Sequence, residues 1–222
     1  MARRFQSAIA GQTASHESPI TSHQPPITEL KITGILLAAG TGSRFGGGKL
    51  LHLLSDGTPI GVASLRNLQK ALPDVIAVVR SGDDPLRDLL EREGVAVHLC
   101  EDANLGMARS FICGIEASRD AEGWIIALGD MPFLEPQTIA AVIAKVAQTG
   151  RIAIAAYRGE RGHPVGFGRR YRDELLQLQG DEGARSVIGR HLLDLDVIEC
   201  DDRGILRDID TLADLAKQAG IR

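Results

Sequence analysis

The sequence has few cysteines, no long apolar segment and no excess of positive charge. Its three cysteines, Cys100, Cys113 and Cys200, are widely spaced without C-x-x-C spacing, which argues against a disulfide framework and a thiolate zinc site. No uninterrupted apolar stretch reaches the roughly 18 residues of a membrane span. The formal net charge of −4 offers no general positive field for nucleic acid. These absences predict a cytoplasmic protein with reduced thiols and with neither a nucleic-acid nor a membrane partner.

The length and the polar start of the chain predict its organisation. A chain of 222 residues with 44% hydrophobic residues can bury one sizeable core, so we expect one domain over residues 31–222. Residues 1–30 are rich in Ser, Thr, Gln and Pro and lack the apolar core of a signal peptide. They are predicted to form a disordered tail. A targeting peptide is the alternative, because the start also contains arginines.

From Lys31 onward, short β-rich runs alternate with helical patterns. Strands are predicted at Thr33–Ala38, Val75–Arg80, Val95–Leu99, Trp124–Leu128, Ile152–Tyr157 and Asp196–Cys200. The spacing of Ile139, Val142, Ile143 and Val146 indicates a helix packed on a sheet. Runs that are apolar at successive positions are typical of parallel strands covered on both faces. The order predicts an α/β fold, a three-layer α/β/α Rossmann-like sandwich with a mostly parallel central sheet.

Residues 35–49 form an apolar run that breaks into glycines and ends with two cations, Arg44 and Lys49. Glycines allow the backbone to approach an anion closely and to present its N–H groups. Arginine adds a forked positive charge and lysine a compact one. The stretch therefore indicates a buried strand that leads into a phosphate loop for a nucleoside triphosphate or diphosphate. A plain glycine-rich turn is the alternative.

Two familiar phosphate motifs do not fit this loop. A Walker A motif needs Ser or Thr directly after its lysine, whereas Leu50 follows Lys49. The dinucleotide fingerprint needs a third glycine where this chain has Phe45. Both P-loop NTPase chemistry and a nicotinamide cofactor are therefore disfavoured.

Three aspartates are candidate ligands for Mg²⁺. Asp130 ends an apolar strand, and ligands of open α/β sheets bind beyond such strand ends. Asp208 and Asp210 would point to the same side of an extended segment. Mg²⁺ prefers carboxylate oxygens and shares its remaining positions with water and phosphates. The alternatives are a turn aspartate for Asp130, a helix N-cap for Asp210 and a solvated charge for Lys49.

Six short segments together resemble the MobA-like nucleotidyltransferases, in particular the MocA-type molybdenum cofactor cytidylyltransferases. The pattern L-A-A-G-x-G-x-R-F-G-x-x-K over residues 37–49 is similar to the opening signature of that family. The segments G-M-A-R-S, L-G-D-M-P-F, G-H-P-V-G-F, G-D-E-G-A-R and D-I-D-T follow in the expected order, from residue 106 to residue 211. The resemblance covers about residues 32–219, and motifs in order across one domain are far more specific than any one of them.

The resemblance implies transfer of CMP from CTP to molybdopterin, with release of pyrophosphate and a need for Mg²⁺. The catalytic residues would be Arg44, Lys49 and Asp130, and the metal would be bound by Asp130 with Asp208 or Asp210. The nucleotide would contact Leu37, Ala38, Ala39, Gly40, Gly42, Arg44, Lys49, Arg80, Ser81 and Gly82. Ser110, His163 and Arg185 would line the acceptor side. Ala39 favours CTP, since its methyl group narrows the base pocket.

Several alternatives stay open at this point. His163 also suits a structural histidine, and Arg185 a helix cap or salt bridge. Arg109 and the Gly46–Gly48 run depart from the family pattern and leave the acceptor open. Another phosphorylated acceptor, such as a sugar phosphate or phospholactate, is one competing function, and a non-catalytic carrier of the molybdenum cofactor is another. Handover to a molybdenum hydroxylase or its chaperone would fit either case.

Overall fold

The computed structural model describes residues 30–181 and 183–218. The predicted tail therefore lies outside the described residues except for Leu30, and the single domain over 31–222 stays a prediction. The strands are β1 Ile32–Ala38, β2 Val75–Arg80, β3 Ala96–Cys100, β4 Gly123–Leu128, β5 Ile152–Tyr157, β6 Glu160–Gly168 and β7 Leu195–Glu199. Six of these strands confirm the predicted ones to within one residue at each end, and β6 was not predicted.

The helices are α1 Ile60–Ala71, α2 Asp84–Arg92, α3 Met107–Ala117, α4 Pro136–Thr149, α5 Arg172–Leu175, α6 Arg185–Arg190 and α7 Leu212–Gln218. Helix α4 contains the predicted apolar stripe, with Ile139, Val142 and Val146 fully buried. It is the longest of these helices at 14 residues. Among the described residues, no helix is both long and apolar enough to cross a membrane.

The seven strands form a mostly parallel sheet in the order β3-β2-β1-β4-β6-β5-β7. Strand β1 pairs in parallel with both β2 and β4, and β5 pairs in parallel with β7. Strand β6 is antiparallel to its neighbours β4 and β5. All strands except β6 therefore end at one edge of the sheet, here called the carboxyl edge, and β6 begins there.

Strand β6 escaped prediction because its first half is polar and contains a proline. Pro164 lacks the N–H that a central strand donates to its neighbours. The pairing of β6 with β5 shifts register between Ile154 and Ala156, so Pro164 lies at the irregular part of the ladder. The next residue, Val165, pairs regularly with Ile126 of β4 and with Ile154 of β5. The motif G-H-P-V-G-F is thus a strand as well as a family signature.

Two apolar layers cover the two faces of the sheet, as the sequence predicted. One layer joins helices α1, α2 and α4 to alternate strand residues such as Leu36 and Ala127. The other joins α3, α5 and α6 to the intervening residues, such as Ile35 and Ile126. Successive residues of β1 and β4 thus enter opposite layers. Trp124, the single tryptophan, is fully buried in the second layer.

A one-turn segment, Arg203–Leu206, follows the end of β7 at the carboxyl edge. The buried carboxylate of Asp202 holds it, accepting hydrogen bonds from the backbone N–H groups of Gly204 (2.7 Å) and Glu135 (2.9 Å). Gly204 lies against the carbonyl of Phe133 so closely that a Cβ at this position would overlap it. This contact directs the following residues toward Asp130.

We therefore expect Gly204→Ala to lower the free energy of unfolding by about 1–3 kcal/mol, because the added methyl group has to displace backbone. Gly189→Ala is the matched control. Gly189 lies inside α6, where a Cβ would meet nothing within 4 Å, so its replacement should stabilise by about 0.5–1 kcal/mol. Urea unfolding followed by circular dichroism measures both. Equal effects of the two variants would contradict the close contact.

Candidate active site

An ion-paired lysine lies at the centre of the carboxyl edge. The Nζ atom of Lys49 donates hydrogen bonds to Oδ2 of Asp130 at 2.6 Å and to Oδ1 of Asp210 at 3.1 Å. The Lys49 side chain is 12% exposed, against 22% for Asp130 and 39% for Asp210. Lys49 is therefore a largely buried ion-pair partner and not a solvated charge.

The charge on Lys49 is stabilised by these partners. Burial alone would lower its pKa, but the hydrogen bonds and charges of Asp130 and then Asp210 outweigh burial and raise the pKa above its ordinary value. The ammonium group consequently stays protonated at neutral pH. It neutralises part of the carboxylate charge at a place where phosphates would otherwise be repelled.

The glycine loop after β1 places Lys49 in this position. Gly42 adopts a φ of 57°, and a Cβ there would lie 3.0 Å from the Cβ of Lys49. Gly48, directly before the lysine, adopts a φ of 59°. Both positions therefore require glycine. The buried ring of Phe45 anchors the loop, with its centroid 4.6 Å from that of His52.

The other predicted cation of the loop, Arg44, lies in the short turn Ser43–Phe45. Its side chain falls outside the described part of the structure. The catalytic and nucleotide-binding roles predicted for Arg44 therefore stay predictions.

Backbone hydrogen bonds hold Asp130 where β4 ends. The N–H of Gly129 donates to the carbonyl of Leu37 at 2.9 Å, which ties this turn to the end of β1. The hydroxyl of Ser64 on α1 donates to the carbonyl of Gly129 at 2.8 Å. The N–H of Ile209 donates to the carbonyl of Asp130 at 2.9 Å and brings in the last segment. Three distant parts of the chain thus position one carboxylate.

The structure separates the roles of Asp210 and Thr211. The backbone N–H and the hydroxyl of Thr211 donate to Asp214 at 2.9 and 2.7 Å, and Thr211 accepts from the N–H of Asp214 at 3.2 Å. This reciprocal arrangement caps α7. The helix-cap alternative for Asp210 was therefore wrong, and its carboxylate faces Lys49. Partial burial raises the pKa of Asp208, and the negative charges of Asp210 and Asp130 raise it further.

A cavity of about 370 Å³ opens beside the lysine. Six predicted site residues line it with Asp130: Leu37, Ala39, Gly40, Gly42, Lys49 and Ser110. The first five are predicted nucleotide ligands, and Ser110 is a predicted acceptor ligand from α3. This volume is in the range of small-molecule sites. The end of β1 and the glycine loop form one wall, and the start of α3 forms the opposite wall.

The remaining predicted nucleotide ligands lie outside this cavity. Ala38 is buried beneath it. Arg80 lines a narrow cleft beside Gly40 and Lys49. The N–H of Ser81 is occupied by the carbonyl of Cys100 at 3.1 Å, and Gly82 forms the turn that follows. Of the three predicted ligands Arg80, Ser81 and Gly82, only Arg80 lines this cleft beside the glycine loop.

The predicted acceptor residues are not brought together in one cavity. Burial lowers the pKa of His163, although a hydrogen bond to the backbone of Ile126 and the charge of Asp130 oppose this shift, and the charge of Arg185 lowers the pKa further. The Nδ1 atom of His163 is buried without a hydrogen-bond partner among the described residues. Arg185 begins α6 with an exposed side chain. Neither His163 nor Arg185 lines the cavity that Ser110 faces.

Sequence reasoning missed the wall opposite the glycine loop. Asp181 lines the cavity, and its Oδ1 accepts a hydrogen bond from the N–H of Met107 at 3.2 Å. Gly106 has a φ of 122°, and a Cβ there would lie 2.5 Å from the carbonyl oxygen of Gly180. This approach brings two segments of the family pattern into contact. The G-D-E-G-A-R segment was the available signal, although only Arg185 was assigned a role in it.

The carboxylates at this edge fit a divalent cation. The Oδ1 atom of Asp130 is buried and accepts no hydrogen bond from the described residues, so one strong acceptor stays available beside the lysine contact. Carboxylate oxygens are the ligands that Mg²⁺ and Mn²⁺ prefer. In the described ranges, no three His, Cys, Asp or Glu residues are grouped closely enough to hold a metal by themselves. The donor set fits a cation that also binds phosphate oxygens.

Comparison with known proteins identifies the family. The model of the MobA-like NTP transferase domain matches residues 34–195. The chain belongs to this family. The MobA-like assignment confirms the resemblance seen in the sequence and identifies an enzyme of the nucleotidyltransferase kind. Dependence on a divalent metal is general in such enzymes.

Three curated relatives of this chain carry different names. Nicotine blue oxidoreductase of Paenarthrobacter nicotinovorans is 28% identical over 82% of this chain and 93% of its own length. A probable molybdenum cofactor guanylyltransferase of Thermococcus gammatolerans is 30% identical over 59% of this chain and 64% of its own length. The bifunctional protein GlmU of Zymomonas mobilis is 27% identical over 72% of this chain, which spans only 35% of GlmU.

Solved structures confirm the fold of the MobA-like chain. Rv0371c of Mycobacterium tuberculosis superposes with a TM-score of 0.77 at 28% identity, covering 87% of this chain and 100% of that one. A second structure of Rv0371c is a complex with manganese, with a TM-score of 0.71 at 26% identity, covering 85% of this chain and 98% of that one.

The lysine contact generates a stability prediction. Lys49→Met leaves the carboxylates of Asp130 and Asp210 facing each other, and we expect it to lower the free energy of unfolding by about 1–2 kcal/mol. Adding Asp130→Asn should recover at least about 1 kcal/mol, because the two residues are coupled. Urea unfolding of the two single variants and the double variant measures this coupling.

The pair Arg66 and Glu93, whose shortest contact is 2.7 Å and whose arginine side chain is 50% exposed, is the matched control. Removing both members, with Arg66→Met and Glu93→Gln, should show a coupling of less than about 1 kcal/mol. Strictly additive effects at Lys49 and Asp130 would contradict an energetically important ion pair.

Proposed function

We propose that this MobA-like protein transfers CMP from CTP to the phosphate of molybdopterin, releases pyrophosphate and uses Mg²⁺. The main support for this proposal is the position of the Lys49 ammonium group. It lies between Asp130 and Asp210, beside a cavity that starts at the glycine loop. The arrangement supplies a positive charge and carboxylate oxygens at the same sheet edge. Both are needed where a triphosphate is cleaved.

In this proposal the nucleotide occupies the cavity along the end of β1. Gly40 and Gly42 offer a close approach of backbone to the phosphates, and Ala39 and Leu37 line the region for the base. Arg44 and Lys49 would bind the phosphates. Arg80 would contribute from the adjoining cleft.

The reaction needs no nucleophile from the protein. An oxygen of the acceptor phosphate attacks the α-phosphorus of CTP, a new P–O bond forms, and the bond to pyrophosphate breaks. Lys49 stabilises the negative charge that gathers on the departing pyrophosphate. Asp130, with Asp208 or Asp210, would hold the divalent cation, which when bound neutralises phosphate charge. Positioning and charge neutralisation then account for catalysis.

Molybdopterin as acceptor is supported by the sequence motifs and by the guanylyltransferase relative. Transfer to another phosphorylated molecule, such as a sugar phosphate or phospholactate, is the second candidate, because GlmU matches this chain at comparable identity. The broad match to nicotine blue oxidoreductase favours a third, redox candidate. Loss of the colour of nicotine blue when the purified chain is supplied with an added two-electron donor tests that candidate directly.

The test of the main proposal is pyrophosphate release by the purified full chain with Mg²⁺, intact molybdopterin and either CTP or GTP. We expect release with CTP. Lys49→Ala and Asp130→Asn should each lower kcat/KM by about 10²–10³-fold, the scale expected when a preorganised charge at the reacting phosphates is lost. Lys145→Ala, on the outer helix α4, is the control and should retain activity.

Absence of release with both nucleotides, from folded protein and intact acceptor, would overturn the molybdopterin assignment. Release that survives in both site variants would instead overturn the assigned site.

Ala39 provides a separate test of nucleotide choice. Its side chain is buried and lines the cavity, so Ala39→Gly should widen the space for a purine base. We expect the ratio of kcat/KM for CTP to that for GTP to fall about tenfold, as a methyl-sized change in a pocket allows. Ala77→Gly, at a fully buried position of β2, is the control for a simple loss of stability. An unchanged ratio would show that Ala39 does not select the base.

A further inference from the structure

A second cavity opens at the carboxyl edge, beyond the turn that joins β5 to β6. Its lining residues, here called the arginine cleft, are Tyr157, Arg158, Glu160, Arg203, Leu206 and Arg207. Its volume is about 610 Å³, large enough for part of a small molecule. It shares no lining residue with the cavity beside Lys49. The cleft is therefore a separate candidate site.

Positive charge dominates the cleft, since three arginines face one carboxylate, that of Glu160. Within the described residues, the guanidinium groups of Arg158 and Arg203 form no hydrogen bond and no ion pair. Most other arginines of comparable exposure are paired, as Arg66 is with Glu93. A guanidinium fork matches the geometry of phosphate and carboxylate groups. The chemistry of the cleft thus favours an anion.

Aromatic rings hold two of these arginines in place. The guanidinium carbon of Arg158 lies 5.1 Å from the centroid of the Tyr157 ring. That of Arg207 lies 4.9 Å from the centroid of the Phe133 ring. A cation over an aromatic ring is attracted to the ring, which limits the motion of the side chain. The two side chains are preorganised in this way.

Arg158 also occupies a backbone conformation that suits other residues better. Its φ is 53°, and that of the following Gly159 is 80°. A two-residue hairpin turn with both φ values positive favours Asn or Gly at its first position. Arginine there is strained, and strain of this kind is concentrated at functional sites. The turn alone would favour Asn or Gly at this position. The guanidinium group in the cleft therefore explains the arginine better than the turn does.

Two short connections join the cleft to the catalytic aspartates. Arg207 precedes Asp210 by three residues, so their Cα atoms are at most about 10 Å apart. Phe133, on which Arg207 stacks, follows Asp130 by three residues. A ligand with its reacting phosphate near Lys49 could therefore extend into the cleft.

We propose that the arginine cleft binds a second anionic group of the acceptor, separate from the phosphate that reacts. This inference rests on the proposed nucleotidyl transfer. It restricts the acceptor to molecules with two separated anionic groups, which a simple sugar monophosphate lacks. Glu160 adds a preference for a hydrogen-bond donor next to the second anion.

The first experiment needs no turnover and uses inorganic phosphate as the probe. Phenylglyoxal labels exposed arginines, and peptide mass spectrometry gives a labelling rate for each. We expect phosphate to slow the labelling of Arg158 and Arg203 severalfold more than that of Arg161, an exposed arginine next to the cleft. Equal slowing at all three arginines, or none, would overturn the anion site.

The second experiment uses the pyrophosphate assay with CTP and molybdopterin. Arg158→Asn, which suits the turn, and Arg203→Ala should each raise KM for the acceptor about tenfold, the scale of one hydrogen bond between charged groups. KM for CTP and kcat should change little. Arg161→Ala is the control and should leave both KM values unchanged.

The outcomes separate the two proposals. An unchanged acceptor KM in both cleft variants would overturn the role of the cleft while leaving nucleotidyl transfer intact. Protection by phosphate in a protein that releases no pyrophosphate with molybdopterin would support the anion site and overturn the molybdopterin assignment.

Discussion

The hydrogen bond between Lys49 and Asp130, 2.6 Å long, joins positions 81 residues apart and organises the carboxyl edge. The glycine loop has to turn back on itself to bring the lysine there, and the turn after β4 has to hold the partly buried aspartate within reach of it. Asp210 completes the contact from a third part of the chain. A largely buried lysine without these carboxylates would be costly, and so would the carboxylates without the lysine. The site can therefore form only when all three segments have packed.

Much of the fold, and the grouping of five predicted nucleotide ligands around one cavity, could be predicted from the sequence. The runs at β1 and β4 are apolar at successive positions, which few structures other than central parallel strands require. A run of glycines followed by a cation at the end of a strand likewise has few interpretations other than a phosphate loop. Leu37, Ala39, Gly40, Gly42 and Lys49 consequently line one cavity. These residues are close in sequence, so local pattern was enough to group them.

The predicted acceptor residues could not be grouped in the same way, because their relative positions depend on tertiary packing. Ser110, His163 and Arg185 lie on α3, β6 and α6, and only Ser110 faces the cavity beside Lys49. Asp181 reaches that cavity because Gly106 allows the backbone at Gly180 to approach. Such a contact depends on two loops at once and leaves no periodic signal in either. The alternative of a helix cap at Asp210 was wrong by one residue for a related reason, since Thr211 forms the cap. A cap and an ion-pair ligand can both be aspartate, and only the position of Lys49 distinguishes them.

Strand β6 explains why the predicted acceptor residues are dispersed whereas the predicted nucleotide ligands line one cavity. The parallel strands bring only their carboxyl ends to the site, whereas antiparallel β6 brings its first residues and the hairpin turn before it. Arg158, Glu160 and His163 reach the carboxyl edge for that reason alone. The segment Arg203–Leu206 then packs on β6 through Gly162 and adds a further arginine. In the proposed reaction, a single reversed strand would thus provide a surface for the acceptor that is separate from the glycine loop. Relatives with names as different as nicotine blue oxidoreductase and molybdenum cofactor guanylyltransferase fit the general rule that one fold can carry different functional sites.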